Sequence, residues 1–221
     1  MEIGVLGGTG PAGQGIAARL AALGHQVVLG SRDRERAAGI VDQLQAKWGE
    51  RVATLEPGVN ADAAGAPVVV VATVWDAAVP TARDLAGALA GKVVIAMANG
   101  LEKQGRQFRA VMPAEGSIAE AIQAAAPGAR VVAALQHVPA KALADLDTDL
   151  GADVLVAGDD DEARTLVLDL IDSIPGLRGL DAGSLENARG IEAVAAPLLT
   201  VNLRHRGEAT LRLPGAGERR R

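Results

Sequence analysis

The sequence contains no cysteine and no tyrosine, and its only aromatic residues are Trp48, Trp75 and Phe108. Without cysteine the chain has no disulfide bonds, no thiolate nucleophile and no Cys-ligated zinc or iron–sulfur centre. Three aromatic rings are too few for a surface on which nucleic-acid bases stack. We therefore expect a core of aliphatic side chains.

The sequence also has no excess of positive charge, because 27 Asp and Glu residues outnumber 22 Lys and Arg residues. The formal net charge is −5. A protein that binds nucleic acid through phosphates needs a basic surface, so we expect no nucleic-acid partner. Aliphatic runs such as Val68–Ala72 are far shorter than the roughly 20 residues that span a bilayer, and no secretory signal is visible. We therefore expect a cytoplasmic protein with no membrane partner.

The 221 residues are 49% hydrophobic, which is enough to bury a core as one domain with at most a small appendage. Short β-rich runs alternate with helix-length Ala- and Leu-rich segments, a pattern typical of βαβ units. This predicts an α/β fold: a Rossmann-like doubly wound, mostly parallel sheet with a small C-terminal helical segment. We predict a Rossmann domain over 1–140, a small C-terminal segment over 141–213 and a flexible tail over 214–221.

The hydrophobic pattern and the turn residues also predict the elements in order. Asp33 is a good N-cap for the second helix, and the sheet is expected to be complete by Leu135. The segments 57–65 and 99–113 give less regular patterns, the first a short helix or a loop. Strands are predicted at 2–7, 26–29, 51–55, 67–73, 92–98, 130–135, 153–157 and 177–180, and helices at 11–23, 34–48, 76–90, 117–126, 162–173 and 186–206.

A glycine-rich loop lies directly between the first predicted strand and the first predicted helix. Its spacing matches GxGxxG. Glycines in this context permit a tight turn and close approach of the backbone to a pyrophosphate, while the helix N-terminus presents free N–H groups to the anion. We predict a dinucleotide site, the alternative being a turn needed only for packing. The predicted loop residues are Gly8, Thr9, Gly10, Pro11, Ala12 and Gly13.

The end of the second strand distinguishes NAD from NADP. NAD sites usually place Asp or Glu there, whereas this chain has Ser31 followed by Arg32. A carboxylate would repel the 2′-phosphate of NADP, while a hydroxyl and a guanidinium bind it. Arg36 lies four residues further on and can reach the same phosphate. NADP is therefore favoured; the alternative is that both arginines are solvated cations with Asp33 as their partner.

Several further segments, taken together with this loop, resemble one family; they are Leu23–His25, Gly30–Arg32, Thr81–Leu85, Gly158–Glu162, Gly176–Arg178 and Leu180–Gly183. In combination, over 1–213, they resemble the coenzyme F420-dependent NADP reductases. The resemblance implies a hydride transfer between NADP and F420, an 8-hydroxy-5-deazaflavin that serves as co-substrate, on a homodimeric Rossmann protein. It also implies that Thr9, Ser31, Arg32 and Arg36 hold the 2′-phosphate.

The chemistry of hydride transfer belongs to the cofactors, so the chain has to position them and exclude water. We assign no residue with certainty as a catalytic acid or base. We predict no metal site, because no spacing typical of metal ligands is present. Strand ends supply the other candidates, since ligands of open α/β sheets bind at the carboxyl ends of strands. These candidates are Thr73, Val74 and Ala98 for NADP, and Trp75, Asn99, Gly100, Gln136, His137, Val138 and Pro139 for the deazaflavin.

Some of these assignments have alternatives. Trp75 either stacks near the nicotinamide or packs in the core, and His137 either touches the deazaflavin ring or hydrogen-bonds a loop. Gly100 would let a flat ring approach the backbone. Some relatives have His at the position of Gln136, so an imidazole is not expected to be essential there.

The deazaflavin tail carries a phosphodiester and carboxylates. Two cations, Lys141 and Arg189, are candidates to receive it, and the alternative is that both are surface charges. The long C-terminal helix carries an apolar stripe that covers the cleft or packs against a second copy, which favours a homodimer.

Two other functions fit parts of the sequence. An NADP-dependent reductase of a small imine or ketone would need a proton donor in the cleft, but tyrosine is absent and no lysine stands at a clear strand end. A non-catalytic NADPH-sensing protein shares the glycine loop and Arg32, but it gives no reason for the resemblance over the C-terminal half.

We predict that Arg32→Ala weakens NADP binding by about 2 kcal/mol and leaves NAD binding little changed, because only NADP offers the guanidinium a phosphate. Isothermal titration with each cofactor measures both affinities. Equal losses for the two cofactors would contradict the assignment of Arg32 to the 2′-phosphate.

Overall fold

The computed structural model describes residues 1–217, in which a central sheet of eight strands is flanked by helices, beside a separate two-stranded hairpin. The strands are β1 (Glu2–Leu6), β2 (Gln26–Ser31), β3 (Leu55–Val59), β4 (Val68–Val71), β5 (Val93–Ala96), β6 (Leu101–Gln104), β7 (Gln107–Ala110), β8 (Arg130–Ala133), β9 (Ala152–Gly158) and β10 (Leu177–Asp181). The α-helices are α1 (Pro11–Ala22), α2 (Arg34–Trp48), α3 (Asn60–Ala63), α4 (Trp75–Asp84), α5 (Ala86–Leu89), α6 (Ile118–Ala125), α7 (Ala140–Leu143), α8 (Asp161–Ser173) and α9 (Ala188–His205).

The large sheet has the strand order β10-β9-β8-β5-β4-β1-β2-β3. Neighbouring strands are parallel except β8 and β9, which pair antiparallel. The order reverses at β1, which pairs with β2 on one side and β4 on the other. Ligands of such sheets bind outside the carboxyl ends of the strands at this switch point. The topology therefore places the loops after β1, β2 and β4 around one crevice.

The core consists of aliphatic side chains on both faces of the sheet. All four valines of β4 are buried, because helices cover both faces. Ile3 and Val5 of β1 belong to the cluster under α1, α2 and α8, while Leu6 belongs to the cluster under α4 and α6. Helix α3 approaches β1 so closely that a Cβ at Gly4 would lie 1.8 Å from the Ala63 carbonyl oxygen.

Most predicted elements are confirmed, but several segments differ. Residues 51–55 do not form a strand; a 3-10 turn covers Gly49–Val52 and β3 begins at Leu55. Pro57 lies inside β3, which is the edge strand, where a missing N–H is tolerated. The 99–113 segment contains the β6–β7 hairpin, whose turn includes Gly105 at φ +59°. Its exposed, mostly polar residues give no buried-strand pattern.

The predicted helix at 76–90 is divided at Leu85 into α4 and α5. The expectation that the sheet is complete by Leu135 is wrong, because β9 and β10 extend the same sheet beyond β8. The sheet therefore crosses the predicted boundary at residue 140, and the division into 1–140 and 141–213 stays a prediction. Of the predicted tail, residues 218–221 lie outside the described residues.

Arg19 fixes the segment that follows β8 against α1. Its buried guanidinium donates to the backbone carbonyl oxygens of Ala142, Leu143, Asp145 and Thr148 at 2.6–3.1 Å. Burial lowers the pKa of Arg19 from its usual value. These four hydrogen bonds from α1 hold α7 and the loop after it in place, in the segment that follows β8.

Candidate functional site

The glycine loop forms a tight turn between β1 and α1. The Gly8 N–H donates to the Gly30 carbonyl oxygen at 2.8 Å, and the Gly10 N–H donates to that of Gly7 at 3.2 Å. A Cβ at Gly13 would lie 2.7 Å from the Gly8 Cα, so glycine is required for this helix–loop approach. Helix α1 then begins at Pro11 without a side-chain cap, which leaves its first-turn N–H groups for an anion.

A cleft of about 450 Å³ opens beside this loop. It brings together nine of the predicted NADP residues, whereas Gly8, Gly13 and Ala98 lie outside its lining. Asp33, Asn60, Ala77 and Thr81 line it as well. The nine are Thr9, Gly10, Pro11, Ala12, Ser31, Arg32, Arg36, Thr73 and Val74.

The two guanidinium groups of this cleft are available to a ligand. Arg32 and Arg36 are exposed, and neither forms an ion pair within residues 1–217. Asp33 is the N-cap of α2, as predicted, since its carboxylate accepts from the N–H groups of Glu35 at 2.9 Å and Arg36 at 3.4 Å. Its own N–H donates to Ser31 Oγ at 3.2 Å. Asp33 is therefore held by backbone groups rather than by the arginines.

Sequence reasoning missed Asn60, which lies at the start of α3 and lines the cleft. Its Oδ1 accepts from the Gly7 N–H at 3.1 Å, where Gly7 adopts φ +69°. Asn60 thus fixes Gly7, the residue that directly precedes the glycine loop. The segment 57–65 gave no clear periodicity, so no sequence signal pointed to this contact.

A second cavity of about 170 Å³ adjoins the first, and Ala12 lines both. The loops after β5 and β8 form one wall of it, and α9 with Ala209 forms the other. Five predicted deazaflavin residues line this cavity: Asn99, Gln136, His137, Val138 and Pro139. The C-terminal helix also contributes, which agrees with its cleft-covering alternative, although no single residue of this half was assigned to the site. The lining residues from this half are Ala195, Leu198, Leu199, Asn202 and Ala209.

Four buried polar atoms at these two cavities have no hydrogen-bond partner in the described part of the chain: Thr73 Oγ1, Asn99 Oδ1, Gln136 Oε1 and His137 Nδ1. Other atoms of the same side chains are fixed, because Asn99 Nδ2 donates to the Gln136 carbonyl oxygen at 2.7 Å and Gln136 Nε2 donates to that of Ala96 at 2.8 Å. Buried polar groups are nearly always paired in folded proteins. These oriented atoms therefore mark a place where a polar ligand or water binds.

The loop after β8 also carries backbone strain. Leu135 adopts φ +74°, a left-handed conformation that is uncommon for a residue with a branched side chain. The residue is buried and lines the second cavity. Such strained positions cluster at functional sites. The turn at Leu135 directs Gln136 and His137 into the cavity wall.

His137 is a buried, neutral imidazole. Burial lowers its pKa from 6.5 to about 4. Its Nε2 accepts from the Leu155 N–H of β9 at 3.3 Å, which assigns the proton to Nδ1. The histidine therefore hydrogen-bonds a strand rather than a loop, and it still lines the cavity.

Two predicted deazaflavin residues lie outside both cavities. Trp75 begins α4 and packs against the core cluster under α4 and α6, which agrees with its core-packing alternative. A Cβ at Gly100 would lie 1.9 Å from the Val111 carbonyl oxygen, so the hairpin closure itself explains this glycine. Arg189, a candidate for the deazaflavin tail, also lines neither cavity. Its guanidinium pairs with Glu120 at 2.7 Å and with Glu186 at 3.4 Å.

In residues 1–217, no group of three or more His, Cys, Asp or Glu side chains is arranged to hold a metal ion. None of the described helices is long and apolar enough to cross a membrane.

Comparison with known proteins places this site in a family. The family model for coenzyme F420-dependent NADP oxidoreductases matches residues 2–100. The F420-dependent NADP reductase of Methanocaldococcus jannaschii is 33% identical to this chain, and the match covers 95% of this chain and 96% of the relative. The chain belongs to the F420-dependent NADP reductase family.

Two further members or neighbours of the F420-dependent NADP reductase family match over nearly the whole chain. The F420-dependent NADP reductase of Methanothermobacter thermautotrophicus is 35% identical over 93% of this chain and 91% of its own. A crystal structure from Arthrobacter sp. FB24, described as a candidate F420-dependent NADP reductase, has a TM-score of 0.79 and 28% identity. It covers 93% of this chain and 95% of its own. The likeness therefore includes β9, β10 and α9.

We predict that His137 makes stability fall in acid. Between pH 6.5 and about 4 the unfolded chain binds a proton at His137 that the folded protein does not, so the free energy of unfolding decreases as the pH falls through this range. The shift corresponds to about 3 kcal/mol. Denaturant unfolding across this pH range, with His137→Gln beside the wild type, measures the contribution. Glutamine keeps an acceptor for the Leu155 N–H but does not titrate.

Glu192 acts in the opposite direction and serves as an internal reference. Burial raises the pKa of Glu192 to about 7, although the Ile118 and Ala119 N–H groups donate to its carboxylate. Its stabilising contribution is therefore lost as the pH rises from 4.5 to about 7. Because Glu192 is present in both proteins, the difference between the two curves isolates His137. Parallel curves would contradict the assignment.

Proposed function

We propose that this chain transfers a hydride between reduced coenzyme F420 and NADP. The observation that carries the proposal is the pair of adjoining cavities at the carboxyl edge of the sheet, which meet at Ala12. One has a phosphate-binding loop and two unpaired arginines; the other has orphaned polar atoms on apolar walls. Such a pair suits two cofactors whose reactive rings have to meet.

On the NADP side, the loop residues Gly8–Gly13 hold the pyrophosphate in this proposal, and Ser31, Arg32 and Arg36 hold the 2′-phosphate. Two observations support the fit. A Cβ at Gly10 would have no neighbour nearer than 3.7 Å, so the loop is open where a phosphate approaches. Thr73 Oγ1, which has no hydrogen-bond partner in the described residues, follows β4 in the wall of the cleft, and we expect the nicotinamide there. Ala98 is buried in the core cluster under α4 and α6 and does not line the cleft.

On the deazaflavin side, Asn99 and Gln136 to Pro139 form the ring-binding wall in this proposal. Asn99 Oδ1 and Gln136 Oε1 are acceptors, and His137 Nδ1–H is a donor, so the wall suits a ring with both N–H and C=O groups along one edge. Trp75 and Gly100 act indirectly, through the packing of α4 and the closure of the hairpin.

The cofactors supply the reaction: the reduced deazaflavin gives up a hydride to the nicotinamide ring, and its remaining proton passes to solvent. The chain holds the two rings in contact and covers them with apolar side chains from α9. His137 stays neutral above pH 5 and donates a hydrogen bond without transferring its proton. This division of labour explains why no catalytic acid or base is needed.

Ala12 tests the junction of the two cavities. We expect Ala12→Leu to reduce hydride transfer by about 100-fold, because a displacement of about 1 Å between the rings costs that much, while NADP affinity changes only a few-fold. Absorbance of oxidised deazaflavin measures the rate with reduced F420 and NADP, and titration measures the affinity. The control is Ala22→Leu, at the exposed end of the same helix. No turnover by the wild-type protein, or turnover only with an imine, would overturn the proposed function.

We also propose that the protein is cytoplasmic and that it forms a homodimer, the dimer being what the resemblance implies. Val201 of α9 is 43% exposed, which leaves an apolar side chain for a partner copy. Light scattering is expected to give twice the mass of one 22.4 kDa chain. A mass equal to one chain would rule the dimer out.

A further inference from the structure

The second cavity is small for the ligand that the proposed function assigns to it. Its volume of about 170 Å³ is below the range of about 300–1,000 Å³ that is usual for pockets that bury a small molecule. A three-ring deazaflavin with a long tail therefore has to extend through the mouth of the cavity. The groups at this mouth decide how the tail is held.

We place the mouth between two chain segments, because each carries an exposed charged residue next to a residue that lines the cavity. The first is the start of α7, where Ala140 lines the cavity and Lys141 follows it. The second follows α9 and comprises residues 207–213, which we call the C-terminal strap. Ala209 of the strap lines the cavity, and its N–H donates to Asn202 Oδ1. The strap continues to β9, where Leu211 O accepts from the Asp153 N–H at 2.9 Å.

A single ion pair joins the two segments at the mouth. Lys141 Nζ lies 2.8 Å from Glu208 Oε1, and each residue is the immediate neighbour of one that lines the cavity. The Lys141 side chain is 88% exposed, so the ammonium is open to solvent on its other sides. Exposed pairs of this kind are weak and are screened by salt. A ligand with several negative charges can therefore replace Glu208.

We propose that Lys141 receives the anionic tail of the deazaflavin and that the Glu208 carboxylate occupies this cation until the ligand arrives. The inference rests on the proposed function and adds to it the group that recognises the tail. The displaced partner belongs to the strap, so binding of the tail also removes one of the contacts that hold the wall containing Ala209.

Other cations of the chain are less suited to this task. Arg189 is held by Glu120 and Glu186, and it borders a different surface depression. The Arg178 guanidinium is held at 2.8 Å by both oxygens of Asp153. Arg32 and Arg36 border the NADP cleft. Lys141 combines a position beside the second cavity with a single, exposed carboxylate partner.

The experiment compares two ligands that share the same ring. One is oxidised F420, and the other is the 8-hydroxy-5-deazaflavin that ends at its ribityl chain and lacks the phosphodiester and carboxylates. Quenching of deazaflavin fluorescence gives the dissociation constant of each. We expect Lys141→Met to weaken F420 binding about three- to fivefold and to leave the tailless ligand unchanged. Raising the salt concentration should remove the same preference from the wild type.

The reciprocal variant tests the exchange of partners. Glu208→Gln removes the competing carboxylate, so we expect F420 to bind about two- to threefold more tightly, again without effect on the tailless ligand. Lys141→Arg should retain the preference for the tail. Lys47→Met, on α2 and away from both cavities, is the control and should behave as the wild type.

The outcomes separate this inference from the function on which it rests. If Lys141→Met weakens the binding of both ligands equally, or of neither, Lys141 does not bind the tail and the inference fails. The proposed function is unaffected in that case as long as the wild-type protein still transfers a hydride. If Glu208→Gln leaves F420 affinity unchanged, the exchange of partners is refuted. If the wild-type protein neither binds F420 nor turns it over, the proposed function itself fails.

Discussion

The close contact between the glycine loop and helix α1 is the constraint on which the site depends. The Gly13 position lies so near Gly8 that even a methyl group would displace the helix. This contact brings the N-terminus of α1 to the point where the strand order reverses at β1. The first-turn N–H groups then face the same crevice as Arg32 and Arg36. The N–H groups of α1 and the guanidinium groups of Arg32 and Arg36 therefore face one cleft, and neither arginine forms an ion pair within residues 1–217.

The parts of the molecule that follow local rules were predictable from the sequence. The GxGxxG spacing, the Asp33 cap and the valine run of β4 each act through neighbouring residues, so a single sequence reveals them. Nine of the predicted NADP residues meet in one cleft for the same reason, since strand ends in a parallel sheet share an edge.

The parts that depend on distant contacts were not predictable. Asn60 contributes through a hydrogen bond to Gly7, 53 residues away, and no local pattern encodes it. The β6–β7 hairpin is stabilised against α9 by contacts such as the Phe108 N–H to Thr200 Oγ1 bond at 2.9 Å, although its own residues are mostly polar. Gly100 illustrates the converse error: a glycine at a strand end was assigned to a ligand, but the backbone of Val111 occupies that space.

The antiparallel strand β9 explains how the C-terminal half builds the second cavity. It pairs with β8 only at Ala157 and Gly158, so its N–H groups at Asp153 and Leu155 have no ladder partner from β8. Buried N–H groups need acceptors. Leu211 O of the strap takes the first, and His137 Nε2 takes the second. One short strand edge therefore orients the histidine in one wall and anchors the strap that forms the other. If β8 and β9 were fully paired, β8 would accept from the N–H groups of Asp153 and Leu155 in place of Leu211 O and His137 Nε2. The cavity would then lose both the fixed imidazole and the anchored strap.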